Sequence, residues 1–215
     1  QSPDVLQRQM RALLLFFFFF LPQLLTAQSN FRRFFRLSGP EKCWTLTHPF
    51  KAGKAYKLTA SVRQLIDSLH QQAYPDSFSH GGKLDAFRHA YWMAILTRNI
   101  GQRAARKLGN AHEKGNYKQF RKNIGEDGVV QDSSAVVMDL HNNRIGIQYA
   151  ILHPDATPSS LQQLLLNALS NGELLIIQRN ASGQLQRCDG SIPSTENRSK
   201  QQWNLGYCLI SSNQP

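Results

Sequence analysis

One stretch of the chain carries an aspartate and a histidine at a spacing that gives them a common face on a helix. Asp85 and His89 lie four residues apart, and side chains at that spacing project from the same side. A carboxylate beside an imidazole fixes its tautomer and raises its basicity, and both groups together also suit a metal ion. Arg88, between them, is expected to hold an anionic substrate or transition state.

Two later stretches carry polar side chains in places where an ordinary helix would have none. His112 and Glu113 lie near the end of one predicted helix, and Asp139 shares a face with Asn142 and Asn143 on the next. Consecutive asparagines are unfavourable inside a helix because their side chains compete for backbone hydrogen bonds. Such violations of local rules occur mostly at functional or strained sites. An alternative is that the two asparagines end a shorter helix in a turn.

These three stretches together predict a cleft with histidine and carboxylate chemistry. Imidazole titrates near neutral pH and serves as an acid, a base or a metal ligand. The asparagines are expected to orient substrate or to stabilise an oxyanion. The predicted catalytic residues are Arg88, His89, His112, Glu113, Asn142 and Asn143. The predicted metal ligands are Asp85, His89, His112 and Asp139. The cofactor is left open, with a divalent metal ion as the one considered.

The same residues also fit a buried polar network without catalytic function. In that interpretation Arg88 pairs with Asp139, His89 pairs with Asp85, and the asparagines cap neighbouring helix ends. Buried polar groups need partners, and such networks can specify one packing arrangement. For any single residue this interpretation is at least as good as catalysis. Because three separate clusters break the helical pattern, the whole set favours a functional site.

The spacing of apolar residues predicts a mainly α fold, a compact helical domain of about five helices between residues 51 and 172. A polar connection is expected over 115–128, and Gly146 is expected to allow a neighbouring helix to approach closely. The expected helices begin near Thr59, span about 84–98 and 102–114, run from Asp132 or Ser133 to about residue 150, and begin at Ser159 or Ser160.

The remaining segments predict a leader, an arm and a small β appendage. Residues 1–27 have a basic start, a short apolar run and a small-residue end, the pattern of a secretory signal peptide; an uncleaved anchor is the alternative. Residues 28–50 contain Pro40 and Pro49 and are expected to form an irregular arm. Residues 173–215 predict a β hairpin on the same domain. We therefore expect an exported protein, periplasmic or extracellular, with no membrane span in the mature chain.

Export would permit disulfide formation among the three cysteines. Cys188 and Cys208 both lie in the C-terminal appendage, where a bridge would staple it, and Cys43 would be left over. Zinc ligation by the three cysteines is the weaker alternative because the chain has no CxxC pair.

Composition adds a basic surface to this picture. The chain of 215 residues has 25 Lys and Arg against 14 Asp and Glu, a length typical of one domain. Residues 98–122 carry eight of these cations and a single acid. Such a segment attracts an anionic partner: nucleic acid, anionic lipid or an acidic glycan. The alternative is a solvated helix in a basic protein. Nucleic acid is not excluded, and the oligomeric state is left open.

Three motifs resemble those of an uncharacterised bacterial family. GGKLDAFRHAYWMAIL, KLGNAHEKGN and MDLHNNRIG resemble a domain found in small exported proteins and in C-terminal modules of polymorphic-toxin-like proteins. The resemblance spans about residues 41–208 and implies a shared signature but no activity. The signature residues are Asp85, Arg88, His89, Trp92, His112, Glu113, Asp139, Asn142, Asn143 and Gly146.

The function predicted best is hydrolysis of a phosphodiester or another anionic substrate by histidine and carboxylate groups, with or without a metal ion. The alternative is a non-catalytic binding module, in which a buried His, Asp, Arg and Asn network supports a basic surface. A structural role in the cell envelope has no positive feature in its favour. No HExxH, GxSxG or CxxC motif narrows the choice further.

Overall fold

Six helices whose bounds lie wholly in the described part of the chain precede a two-stranded antiparallel sheet. The computed structural model describes residues 32, 34–122, 132–194 and 203–214. The helices are α1 (Gly39–Thr47), α2 (Pro49–Gln71), α3 (Lys83–Ile100), α4 (Gln102–Arg121), α5 (Ser133–Leu152) and α6 (Pro158–Ser170). The strands are β1 (Leu175–Ile177) and β2 (Leu209–Ser211), with Ile176 opposite Ile210. The predicted mainly α fold with a small C-terminal β element is confirmed.

Helix α3 forms the centre of the domain. Its sequence is apolar on nearly every side, which is typical of a helix surrounded by others, and 14 of its 18 residues are buried. It packs against α2, α4, α5 and α6. The aspartate and histidine of α3 are therefore placed inside the core, where polar groups need partners.

The closest helix contact is the one between α3 and α5. Gly146 of α5 lies against the backbone of Ala90, so that a methyl group at Gly146 would overlap the carbonyl of Ala90. The expectation that Gly146 permits close helix approach is confirmed. Helix α5 also continues unbroken through Asn142 and Asn143, so the alternative of a shorter helix that ends in a turn is wrong.

Side-chain caps define where several helices begin. Ser38 and Glu41 form a capping box at the start of α1, with the Ser38 amide donating to Oε2 of Glu41 at 2.8 Å. Asp132 accepts from the amide of Ala135 at the start of α5, as predicted. Thr157 caps α6, so the expected cap at Ser159 or Ser160 is wrong by two or three residues.

Two prolines account for the largest difference from the sequence-based helices. Residues 28–50 were expected to be irregular, but residues 39–47 form α1, and α2 begins at Pro49 rather than near Thr59. Pro40 and Pro49 lie in the first turn of a helix, where proline is favoured because the amide needs no partner there. The two prolines therefore mark helix starts and do not break the chain into an irregular arm.

A second difference concerns the polar connection expected over 115–128. Helix α4 continues through Gly115 to Arg121, so the first part of that segment is helical; residues 123–131 lie outside the described part. A side chain at Gly115 would meet the side chain of Ser38. Glycine is therefore required here by the packing of α1 on α4, although its helix propensity is low.

The C-terminal appendage agrees with its predicted cysteine pairing. Cys188 and Cys208 form a disulfide, and Cys43 is exposed and reduced. The amide of Asn180 donates to Gln184 across the predicted turn. Nowhere in the described part is there a helix of the length and apolarity that a membrane span needs. The predicted signal peptide, residues 1–27, lies outside the described residues.

Candidate functional site

The crossing of α3 and α5 brings two carboxylates and an imidazole together in the core. Asp85, His89 and Asp139 are 4, 3 and 2% exposed, and one ligand atom from each lies within 4.8 Å of the others. Nε2 of His89 is 3.5 Å from Oδ1 of Asp85 and 3.3 Å from Oδ1 of Asp139. We call these three residues the buried cluster.

The local structure fixes each member of this cluster. Asp85 and His89 share a face of α3 through their four-residue spacing, as predicted. Oδ2 of Asp85 accepts a hydrogen bond from the backbone amide of Gly81 at 2.7 Å, which orients its Oδ1 atom. Asp139 reaches His89 from α5, two turns before the close contact at Gly146. The cluster therefore depends on how near α5 lies to α3.

Arg88 lies at the boundary between the buried cluster and solvent. Its Nη2 atom is 2.6 Å from Oδ1 of Asp85 and 3.3 Å from Nε2 of His89. The Arg88 side chain is 30% exposed, whereas that of Asp85 is 5% exposed. The guanidinium thus neutralises Asp85 from the solvent side.

Burial and charge set the protonation of the cluster. Burial alone would raise the pKa of Asp85, but Arg88, His89 and the Gly81 amide together lower it below its ordinary value. Burial lowers the pKa of His89 to about 3, against the opposing effect of Asp85. At neutral pH His89 is therefore a neutral imidazole beside an ionised Asp85, and neutral imidazole is the form that binds metals.

A second histidine and carboxylate pair lies beside the cluster. Nδ1 of His112, on α4, is 3.2 Å from Oε1 of Glu41, on α1, and the two side chains are 22 and 20% exposed. The ring centroid of His112 is 6.3 Å from that of His89 and 5.6 Å from that of Trp92. We call His112 and Glu41 the outer pair.

The outer pair is held by the packing of α1 on α4. The indole Nε1 of Trp44 donates to the carbonyl of Ala104 at 3.0 Å, which ties the two helices together. Burial would raise the pKa of Glu41, but its hydrogen bond and charge interaction with His112, helped by Ser38, lower it. The ordinary ionised carboxylate is thereby stabilised next to the imidazole.

Sequence reasoning did not find Glu41. The spacing of Ser38 and Glu41 is a readable capping-box signal, but such a signal predicts a helix start and not a partner for a histidine 71 residues later. The contact also requires α1, which was expected to be an irregular arm.

The other predicted site residues lie at different distances from the cluster. Asn143 is buried beside His89 and Gly109. Asn142 instead binds the backbone of Leu175 with both ends of its amide, at 2.9 Å each, and so anchors β1 to α5. Glu113 is buried and accepts from Nδ2 of Asn116 at 3.1 Å.

Three of the four residues predicted as metal ligands, Asp85, His89 and Asp139, converge in the buried cluster. His112 lies next to the cluster and is bound to Glu41 rather than included among the three converging ligands. Two surface grooves of about 320 and 500 Å³ lie elsewhere, and no member of the cluster lines either one. The partly exposed groups next to the cluster are Arg88 and the outer pair.

Comparison with known proteins places this arrangement within a family. No curated protein and no solved structure matches the chain. A family model, DUF6973, described as a domain of unknown function, matches residues 42–173. That span contains α2 to α6 complete, the buried cluster, Arg88 and His112, whereas Glu41 lies one residue before it. The chain belongs to the DUF6973 domain family.

Proposed function

We propose that the chain is a hydrolase for a phosphodiester or another anionic substrate, and that the buried cluster is a divalent metal centre. One observation carries the proposal: Asp85, His89 and Asp139 converge within 4.8 Å inside the core. Two carboxylates this close repel each other, and a cation between them would turn that repulsion into attraction.

The donor set fits a divalent cation. It offers carboxylate oxygens and one neutral imidazole nitrogen, the ligands that Zn²⁺, Mn²⁺ and Fe²⁺ take in proteins. The depressed pKa of His89 keeps its ring neutral at pH 7, so no proton has to leave before it ligates. A bound cation would supply Lewis-acid polarisation of a phosphoryl oxygen at this position.

Arg88 is placed to change partners when a metal and substrate arrive. In the described structure its guanidinium neutralises Asp85, and a cation in the cluster would take over that role. The Arg88 side chain is partly exposed, so it has room to turn toward solvent. Guanidinium binds phosphate oxygens in a bidentate manner, which makes Arg88 the group that holds an anionic substrate.

The outer pair is placed to move a proton at the edge of the cluster. A Glu41 carboxylate on Nδ1 selects the His112 tautomer that carries its lone pair on Nε2, and it stabilises the imidazolium that forms. His112 would then take a proton from the attacking water and return it to the leaving oxygen. Glu41 acts through His112 and is a positioning residue.

Hydrolysis of generic diesters tests this function. Full-length protein is incubated with bis(p-nitrophenyl) phosphate, or with labelled single- and double-stranded oligonucleotides, in Mn²⁺, Zn²⁺ or Mg²⁺. We expect turnover that falls by about 10²-fold or more in His112→Gln, typical of a lost acid–base group, and that disappears in Asp139→Asn. Absence of hydrolysis with every metal, or full activity in folded Asp139→Asn, contradicts the proposal.

The second candidate function is a non-catalytic binding module. The observation that favours it is the ion pair of 2.6 Å between Arg88 and Asp85, which neutralises one carboxylate without any ligand. In that case the cluster holds α3 against α5, and removal of Asp139 destabilises the metal-free protein by about 3 kcal/mol or more. A metal-binding Asp139 predicts instead that Asp139→Asn is close to wild type in stability when metal is absent.

We also propose that the protein acts outside the cytoplasm. The disulfide between Cys188 and Cys208 supports this, because such bonds persist mainly in oxidising compartments. The apolar run before residue 27 is of the type found in export signals. Fractionation of cells that express the tagged chain tests the proposal, and recovery of the protein from the cytoplasm with both thiols reduced would contradict it.

A further inference from the structure

The outer face of α4 is a continuous row of positive charge. All of its lysines and arginines are exposed, and its one acid, Glu113, is buried. None of these cations takes part in the ion pairs of the described residues. The row, which we call the cationic row, consists of Arg103, Arg106, Lys107, Lys114, Lys118, Arg121 and the adjoining Lys122.

The row is straight and points away from the candidate metal centre. Its members recur at intervals of three, four and seven residues, so they follow one side of the helix. A helix of 20 residues is about 30 Å long, and the row extends over most of that length. His112 comes about two and a half turns after Arg103 and lies on the opposite side. The row and the buried cluster are therefore separate surfaces of the same helix bundle.

An exposed aromatic ring lies within the row. Tyr117 is 43% exposed and falls between Lys114 and Arg121 on the same side of α4. Trp203 contacts it edge to face, with ring centroids 5.1 Å apart, which limits the motion of the ring. A rigid aromatic face between cations is the arrangement on which unpaired bases stack while their phosphates bind the charges.

The row lacks what a lipid-binding surface needs. The apolar side of α4 is buried against α3 and α5, so it offers no apolar face to enter a membrane. Tyr117 is the one large hydrophobic residue of α4 that is exposed. A narrow line of charge also matches a linear polyanion better than a planar one.

We propose that the cationic row with Tyr117 binds single-stranded nucleic acid. The phosphates would lie along the row and a base would stack on Tyr117. This inference does not depend on the proposed hydrolase activity, since the surface lies on the other side of α4 from His112. It assigns a macromolecular partner to a surface that the candidate metal centre does not explain.

Fluorescence anisotropy with a labelled 20-residue oligothymidylate tests the inference. The full chain is titrated in EDTA, so that neither metal nor hydrolysis enters the result. The test variant replaces Arg103, Lys107 and Lys114 by Gln. The control variant replaces three exposed cations of α2, Lys54, Lys57 and Arg63, by Gln and so removes the same charge.

We expect wild-type binding that weakens about tenfold or more in the test variant and by less than about threefold in the control. The slope of log affinity against log salt should fall by about 2 when three phosphate contacts are lost. Tyr117→Ala should weaken single-strand binding, because it removes the stacking ring, with little change in the salt slope. Equal losses in both charge variants, or absence of binding by the wild type, overturn the inference.

Vesicles provide the remaining arm of the experiment. The same proteins are sedimented with vesicles of phosphatidylcholine alone or with phosphatidylserine. We expect little of the protein to sediment with either kind of vesicle at physiological salt. Row-dependent retention on the anionic vesicles without oligonucleotide binding would assign the surface to lipid and overturn the inference. If the wild type bound the oligonucleotide but hydrolysed no diester with any metal, the hydrolase proposal alone would be contradicted.

Discussion

The chain contains two adjacent sites built from the same chemical groups in different surroundings. In the buried cluster His89 lies between the carboxylates of Asp85 and Asp139, and all three residues are less than 5% exposed. In the outer pair His112 faces Glu41, and both side chains are about one-fifth exposed. The two histidine rings are 6.3 Å apart.

The difference in burial gives the two sites different chemistry. Burial lowers the pKa of His89 to about 3, so its ring stays neutral and suits ligation. In the outer pair burial would raise the pKa of Glu41, but the hydrogen bond and charge interaction with His112 and the hydrogen bonds with Ser38 together lower it. Under the proposed function, solvent access rather than residue type separates the metal ligand from the proton carrier.

The largest expected effect comes from separating the helices that form the buried cluster. Gly146→Ala places a methyl group on the carbonyl of Ala90, and we expect a loss of about 3 kcal/mol or more in the free energy of unfolding. The added methyl group pushes α5 away from α3, which takes Asp139 away from His89 and leaves the outer pair in place. Urea denaturation measures the effect.

Gly53→Ala is the matched control, since a methyl group there would meet nothing within 4 Å. It lies inside α2 and should stabilise the protein by about 0.5–1 kcal/mol through helix propensity. Equal stability of the two variants would show that the close approach of α5 to α3 does not hold the cluster together.

A smaller effect is expected when Arg88, the charged side chain at the edge of the cluster, is replaced. Arg88→Gln leaves Asp85 without its guanidinium, and we expect the metal-free protein to lose about 1–3 kcal/mol of stability. Affinity for Mn²⁺ should rise by about tenfold, because no charged side chain then competes with the metal. Thermal denaturation and calorimetric titration measure the two effects.

Arg144→Gln serves as a control, because Arg144 is an exposed arginine of α5 whose Nη2 atom contacts Nδ1 of His141 at 3.1 Å, away from the cluster. Arg144→Gln should change neither the stability of the metal-free protein nor its affinity for Mn²⁺. If Arg88→Gln lowered both stability and metal affinity, Arg88 would support the cluster rather than compete for it.

The smallest effect is expected at the outer pair. The pKa of Glu41 is lower in the folded protein than in the unfolded chain, so its contribution to stability is present above about pH 4.3 and is lost as the pH falls through the folded value. We expect Glu41→Gln to cost about 1 kcal/mol at pH 7 and progressively less as the pH falls below about 4.3.

Denaturation from pH 3 to 7 checks this dependence, with Asp67→Asn as a control for an exposed carboxylate of α2. A cost for Glu41→Gln that stayed constant with pH would mean that Glu41 acts as a helix cap for α1 and not as a charged partner of His112.

The same contrast shows what could be predicted from the sequence. The periodicity of α3 and α5 predicted both helices, and the four-residue spacing placed Asp85 and His89 on one face. The convergence of Asp139 with them depends on the angle and distance of two helices, which local patterns do not encode. Gly146 indicated that a neighbouring helix approaches closely, but not which helix or which residues meet there.

The residues whose contacts differ from the sequence-based prediction are those whose partners lie far away along the chain. Asn142 binds Leu175, 33 residues later, so its role could not be seen before β1 was located. Glu41 was missed because Pro40 and Pro49 were interpreted as breakers of an arm. His112 was grouped with the metal ligands because nothing in its neighbourhood indicated a carboxylate from α1.

Calorimetric titration of the full-length protein with Mn²⁺ and with Zn²⁺ tests the central claim most directly, with Asp139→Asn measured beside it after chelation of any resident metal. We predict one site per chain in the wild type and a metal-dependent gain in stability of about 2.7 kcal/mol at a hundredfold excess over Kd. Both should be absent from Asp139→Asn, which remains folded. A wild type that binds neither metal, or a folded Asp139→Asn that binds as tightly, would contradict the account.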